Sequence, residues 1–324
     1  MPGKLRGMTV SPRGFSKLAL ADLVAMVFII ATGAAVRLTG SGLGCPDWPN
    51  CAGHQLIAPL REHPVIEDAN RLVTVLLVVL LGVSFLAAVL RRPRRTDLIW
   101  LSAALVGGVV ADALLGAIVV YTKLNPWLVS GHMALSLAMV VIAGVLYHRS
   151  RLRYDEGARH DVRCEWTVPL ARWLWVLLSV TLLAGMATTG SGPHSGASTS
   201  QDVAKRLPFS LQSAAWVHSV CAIAFIATVA GAYVVLARTG APRRIVEGAG
   251  RLLAVGAAQG VLGVVQYATK LPAVLVEVHV LGAAALTIGV LRFQLLQVAR
   301  DPEPGLDLVP VAPDDGRLVA AART

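Results

Sequence analysis

Few residues of this chain carry a charge. Asp, Glu, Lys and Arg make up 15% of it, where a soluble globular domain has about a quarter. With 55% hydrophobic residues and a mean hydropathy of +0.65, that scarcity excludes a soluble globular fold for the bulk of the 324 residues. No convincing small-residue cleavage site precedes Arg37, so the basic N-terminal segment and the long apolar run behind it read as a helix, not a signal peptide. Neither GSGLG (40–44) nor GSGPHSG (190–196) follows a β-strand pattern, which excludes a dinucleotide or phosphate loop. The broken helices and midplane polar site expected of a secondary transporter are not evident.

What is present is a series of apolar runs near the twenty residues needed to cross a bilayer. There are eight, at roughly 18–36, 71–90, 98–120, 128–147, 168–188, 213–237, 251–268 and 273–296. The net charge of +10 is a topology signal and does not indicate nucleic acid. Lys4, Arg6, Arg13 and Lys17 precede the first span, and Arg91, Arg92, Arg94 and Arg95 follow the second. Arg149, Arg151, Arg153, Arg159 and Arg163 follow the fourth; Arg238, Arg243, Arg244 and Arg251 lie between the sixth and seventh. The opposite loops carry far fewer, so the positive-inside rule places both termini in the cytoplasm. The proline-rich, acidic tail at 299–324 reads as disordered.

The chain repeats itself at a shift of about 150 residues. Thr39-Gly40-Ser41-Gly42 returns as Thr189-Gly190-Ser191-Gly192, and Thr122-Lys123-Leu124 as Thr269-Lys270-Leu271. Ten residues beyond each of the latter threonines stands a histidine, His132 or His279. Leu115-Gly116 matches Leu262-Gly263, and in this register His218 corresponds to Asn70. The expected architecture is therefore an all-α polytopic membrane protein, its eight helices forming two tandem pseudo-symmetric four-helix bundles. The N-terminal tail spans 1–17, the first bundle 18–150, a cytoplasmic linker 151–167 and the second bundle 168–298. Each bundle has a candidate pair on its second and fourth helices, near the outer boundary. Polar groups inside a membrane are costly and usually functional, and two imidazoles facing across a bundle suggest a haem iron or another metal.

Residues 18–296 resemble the haem A synthase family, membrane enzymes of cytochrome oxidase assembly. The likeness rests on VRLTGSGLGCPDWPNC (36–51), IEDANR (66–71), YTKLNPW (121–127) with His132, TGSGPHSG (189–196), and the helices of His218 and His279. The resemblance implies oxidation of the C8 methyl of haem O to a formyl, through two hydroxylations and loss of water from a geminal diol. It implies that His218 and His279 ligate a resident haem b, and that His132 is an axial contact to the substrate haem. This chain departs from the family's four-histidine pattern at Asn70, whose amide lacks imidazole's nitrogen lone pair. A substrate iron held by His132 alone is favoured over a substituting loop histidine or a site without activity; His63, close to this helix, reads as a solvated loop residue.

Glu67 stands three residues before Asn70 and shares its helix face. The resemblance assigns it a functional role, accepting a proton or orienting water; the alternative is a helix-start carboxylate favoured by the dipole. Arg37 and Arg71, at the outer ends of the first two helices, are placed to clamp haem propionates, with interfacial snorkelling the alternative. Cys45 and Cys51 are close enough for a disulfide in an oxidising space, and the family adds a redox role for the pair. Cys164 reads as a free thiol and Cys221 as packing. Asp112 and Gln259 are equivalent; at the depth of Asp112 a carboxylate either relays protons or accepts an interhelical hydrogen bond. His194 lies over the second haem or in an exposed loop, His54, His148 and His160 read as loop residues, and Glu277 is assigned no role.

The expected partners are the haem O substrate, a haem O synthase, oxidase assembly factors and membrane lipid, with no nucleic acid and a homo-oligomer left open. The expected location is a bacterial plasma membrane, with the haem sites toward the outer face. The rival reading is a non-catalytic di-histidine haem b electron-transfer protein, which needs neither Glu67 nor the cysteine loop.

Overall fold

A computed structural model describes residues 9–45, 51, 61–152, 161–162, 166–197 and 204–299. Eight helices account for nearly all of them: α1 (Pro12–Leu38), α2 (Glu62–Leu90), α3 (Thr96–Tyr121), α4 (Pro126–Ser150), α5 (Thr167–Ser191), α6 (Leu211–Arg238), α7 (Arg243–Ala268) and α8 (Ala273–Leu295). All eight are long and apolar enough to cross a membrane. The architecture is all-α, of the helical membrane-spanning class. The tail from 300 onward, most of the expected linker, and His54, His160 and Cys164 lie outside the described residues.

The helices match the expected spans, but several start earlier. α2 begins at Glu62, nine residues ahead of its apolar run, and α7 at Arg243. Hydropathy reports the stretch that suits lipid, whereas helical hydrogen bonding continues into the polar flank, with Pro64 tolerated in the first turn of α2 and Gly248 and Gly250 inside α7. Glu67 and Asn70 therefore sit inside α2, not at its start.

Each helix packs on the next from α1 to α4, and α4 returns to α1; α5 to α8 close in the same way, with α8 on α5. The two sets meet through α1, α4 and α5 against α8 and α4. One apolar core joins Phe15, Met26, Leu81, Leu105, Val140 and Leu146. A second joins Leu174, Leu178, Phe225, Leu236, Ile245 and Phe293. Large apolar side chains such as Leu72, Trp100, Trp216 and Val274 point outward, as lipid-facing helices require. A two-residue antiparallel ladder, β1 (Asp161–Val162) with β2 (Val298–Ala299), ties the inter-half segment to the end of α8.

The loops that follow α1 and α5 bind each other. Gly42 N donates to Gly196 O at 2.9 Å, and Ser41 bridges Ala197. Arg37 crosses the same junction, donating from Nε to His194 O and from Nη2 to Thr189 O, both at 2.9 Å.

Candidate functional site

The two Thr-Lys-Leu segments fold alike, and each places a histidine. Lys123, Leu124, Lys270 and Leu271 have φ of 54°, 58°, 65° and 59°. Two consecutive left-handed residues end the preceding helix, a costly conformation for side chains of this size. Backbone bonds from Leu124 N to Val119 O (2.8 Å) and from Leu271 N to Gln266 O (2.7 Å) close both turns. The chain then re-enters a helix at Pro126 or Ala273, so each histidine follows six residues after a helix start. Asn70 and His218 lie eight and seven residues into α2 and α6. At 1.5 Å per residue all four positions are about 9–12 Å beyond the starts of their helices.

A glycine on the neighbouring odd-numbered helix lies against each of the four. A Cβ at Gly185 would stand 3.0 Å from His218 Cε1, at Gly116 3.4 Å from His132 Cε1, and at Gly263 3.5 Å from His279 Cε1. At Gly33 it would stand 4.0 Å from Asn70 Oδ1. Small residues here do more than permit close helix packing: they clear the space in which the polar side chains sit.

His218 and His279 are brought together, with ring centroids 6.1 Å apart and ring planes at 81°. Two imidazoles that share one ion at about 2.0–2.1 Å would have centroids roughly 6–6.5 Å apart, so the gap fits one iron between them. The Thr181 carbonyl can only accept, so the 3.0 Å contact makes His218 Nδ1 the protonated nitrogen and leaves Nε2 with its lone pair. His279 Nδ1 is buried without a hydrogen-bond partner. Among the described residues no group of three or more His, Cys, Asp or Glu converges. A two-donor set suits haem, whose macrocycle supplies the remaining ligands.

The first half is built differently. Asn70 Oδ1, the one atom of that amide able to ligate a metal, accepts from Thr32 Oγ1 at 2.8 Å. His132, 40% exposed in its side chain, has Nδ1 2.8 Å from Asp112 Oδ1. The approach is out of line for an aligned hydrogen bond. The other oxygen of Asp112 accepts from Ser136 Oγ at 2.6 Å, joining α3 to α4.

Glu67 is 5% exposed. It accepts from Arg71 Nη2 at 2.7 Å and from the Cys45 amide at 2.9 Å. Cys45 and Cys51 are disulfide-bonded, so the carboxylate anchors the start of the disulfide loop against α2. Arg71 also reaches Cys45 O at 3.5 Å. His63 lies in the first turn of α2, with Nδ1 3.0 Å from Ser41 Oγ. His194 donates from Nε2 to Leu271 O at 2.8 Å and thereby fastens its loop to the second turn. Cys221 is a half-buried free thiol.

Sequence reasoning missed the partners Thr32, Ser136 and Thr181, and also Asp22, a fully buried carboxylate that accepts from Ser84 at 2.8 Å. For Asp22 a signal existed: it is an acid beside an apolar run. For the hydroxyls there was none, because threonine and serine are common in membrane helices.

The family model described as cytochrome oxidase assembly protein, COX15-CtaA, matches residues 16–291. The chain belongs to this family. Among curated relatives, the haem A synthase of Geobacillus kaustophilus is 36% identical over 107 residues, 32% of each chain. That of Geobacillus thermodenitrificans is 31% identical over 151 residues, 44% of this chain and 45% of the relative. That of Shewanella oneidensis is 28% identical over 187 residues, 52% and 54% of the two chains. The matches thus span about a third to a half of these relatives' lengths. The COX15-CtaA family is one of cytochrome oxidase assembly proteins.

Proposed function

We propose that this COX15-CtaA protein is a haem A synthase, an oxidoreductase that converts the C8 methyl of haem O to a formyl by successive hydroxylations. The observation that carries this reading is the difference between the halves. His218 and His279 stand as a pair at the spacing of two ligands that would share one iron, whereas among the described residues His132 has no imidazole paired with it, and the first half carries the buried Glu67. The division is residues 18–150 for substrate and 168–298 for a resident haem b, joined by 151–167.

In this reading His218 and His279 hold the resident haem, which supplies reversible one-electron chemistry. His132 binds the substrate iron on one side. Asn70 is a weaker iron ligand than an imidazole, and its carbonyl oxygen is engaged by Thr32. Glu67 takes the proton lost at the oxidised carbon or holds a water there, oriented by Arg71 and the Cys45 amide. Arg71 and Arg37 draw the propionates to the loop end of the helices while keeping their protein partners. The disulfide holds the Cys45 amide in place for Glu67.

The charge distribution supports an orientation with both termini cytoplasmic and the histidines toward the outer face of a bacterial plasma membrane. Haem O would arrive from a haem O synthase, and haem A would leave for oxidase assembly.

The test is expression with a haem O synthase in cells lacking their own haem A synthase, followed by extraction and separation of the haems. Haem A in the wild type and its loss in Glu67→Ala are expected. Haem O accumulating beside a folded, haem b-loaded protein would overturn the proposal in favour of an electron carrier.

A further inference from the structure

Asp112 and Gln259 occupy equivalent positions, four residues before Gly116 and Gly263, yet they make different contacts. One oxygen of Asp112 satisfies Ser136, which is all that a helix–helix bond requires. The other lies 2.8 Å from His132 Nδ1 and has no aligned hydrogen bond. The carboxylate is buried at the depth of the spans, where an acid with one oxygen unanswered is costly. Rotation of the imidazole about Cβ–Cγ is the freedom that aligns its N–H with that oxygen. Gln259 lies instead over Gly282, where a Cβ would collide with it. His279 Nδ1 is left buried and unpartnered.

We infer that Asp112 is a positioning residue for His132, holding Nδ1–H toward its carboxylate and Nε2 toward the substrate haem, and that the second half lacks this device. The inference rests on the proposal that His132 binds substrate iron. A ligating histidine whose second nitrogen donates to a carboxylate is fixed in tautomer and ring orientation and becomes a more basic ligand. His279 has no such carboxylate, and His218 donates to a neutral carbonyl. The same residue type thus meets iron in two electronic states within one chain, a stronger donor for the haem to be oxidised and neutral donors for the resident one.

The test titrates ferrous protohaem into the purified full-length protein and records the iron–histidine stretching band by resonance Raman. A six-coordinate resident haem contributes nothing to that band. Asp112→Asn keeps an acceptor for Ser136 but removes the charge. It is expected to move the band to lower frequency and to weaken protohaem binding roughly 10- to 100-fold, leaving the resident haem spectrum unchanged. A band unmoved in Asp112→Asn but abolished in His132→Ala overturns the inference and spares the parent reading. Identical titrations of wild type and His132→Ala overturn both. Where Asp112→Asn fails to assemble its resident haem, Gln259→Asp decides: a lowered midpoint potential of that haem supports the inference, and an unchanged one overturns it.

Discussion

Glu67 Oε2 accepts the backbone N–H of Cys45 at 2.9 Å, so a carboxylate in the third α2 position before Asn70 is tied directly to a disulfide-bonded cysteine. The same carboxylate holds Arg71. One side chain therefore fastens the loop after α1 to the face of α2 that carries Asn70, and a change at either end reaches the other.

Glu67→Ala leaves the Cys45 amide without its acceptor and removes the carboxylate that Arg71 pairs with. A loss of about 1–3 kcal/mol is expected, the cost of an unsatisfied buried donor, seen as a lower midpoint of thermal unfolding in detergent. Glu67→Gln retains a carbonyl oxygen and should unfold near the wild-type temperature, yet form no haem A. Equal product from Glu67→Gln and wild type would remove the proton-accepting role.

The glycines beside the paired histidines are not equivalent. A Cβ at Gly185 meets His218 Cε1 at 3.0 Å, whereas at Gly263 it meets His279 Cε1 at 3.5 Å, an ordinary contact. Gly185→Ala should displace the His218 ring, cost about 1–3 kcal/mol by overpacking and lower the haem b content of the purified protein. Gly263→Ala should retain it. The haem-to-protein ratio of the two variants checks this, and a reversed order would count against the pair as iron ligands.

Asn70→His restores an imidazole opposite His132. Bound haem in the first half should then become six-coordinate and low-spin, adding a second low-spin signal to the electron paramagnetic resonance spectrum. Haem A formation is expected to persist, because the family's four-histidine pattern fills the same position. Loss of haem A in Asn70→His would show that this chain uses the open position.

Lys270, at φ 65°, holds a conformation that L-residues adopt at a cost of roughly 1–2 kcal/mol. Lys270→Gly should stabilise the fold by up to about 1 kcal/mol, read as a higher unfolding midpoint. Lys270→Val, β-branched in the same conformation, should lower it. Because this turn sets where α8 begins, Lys270→Val is also expected to reduce haem b content through His279.

Much of this protein was determined by the sequence alone. Eight apolar runs, the asymmetry of basic residues and the repeated Thr-Lys-Leu and Thr-Gly-Ser-Gly segments are one-dimensional properties. They fix the number of helices and the register between halves. That register also picked out Asn70, His132, His218 and His279, since a helix start followed by a set number of residues places a side chain at a set depth. What each of those side chains touches was decided only by the tertiary structure. Helix rotation and crossing give His218 the Thr181 carbonyl, Asn70 the Thr32 hydroxyl and His132 the Asp112 carboxylate. They also turn Arg37 toward the backbone of the second half. Hydropathy records that a helix suits lipid without recording which neighbour it faces. In a membrane the contacts that distinguish one histidine from another are single polar atoms meeting across a gap cleared by glycine, and only the assembled bundle brings them within reach.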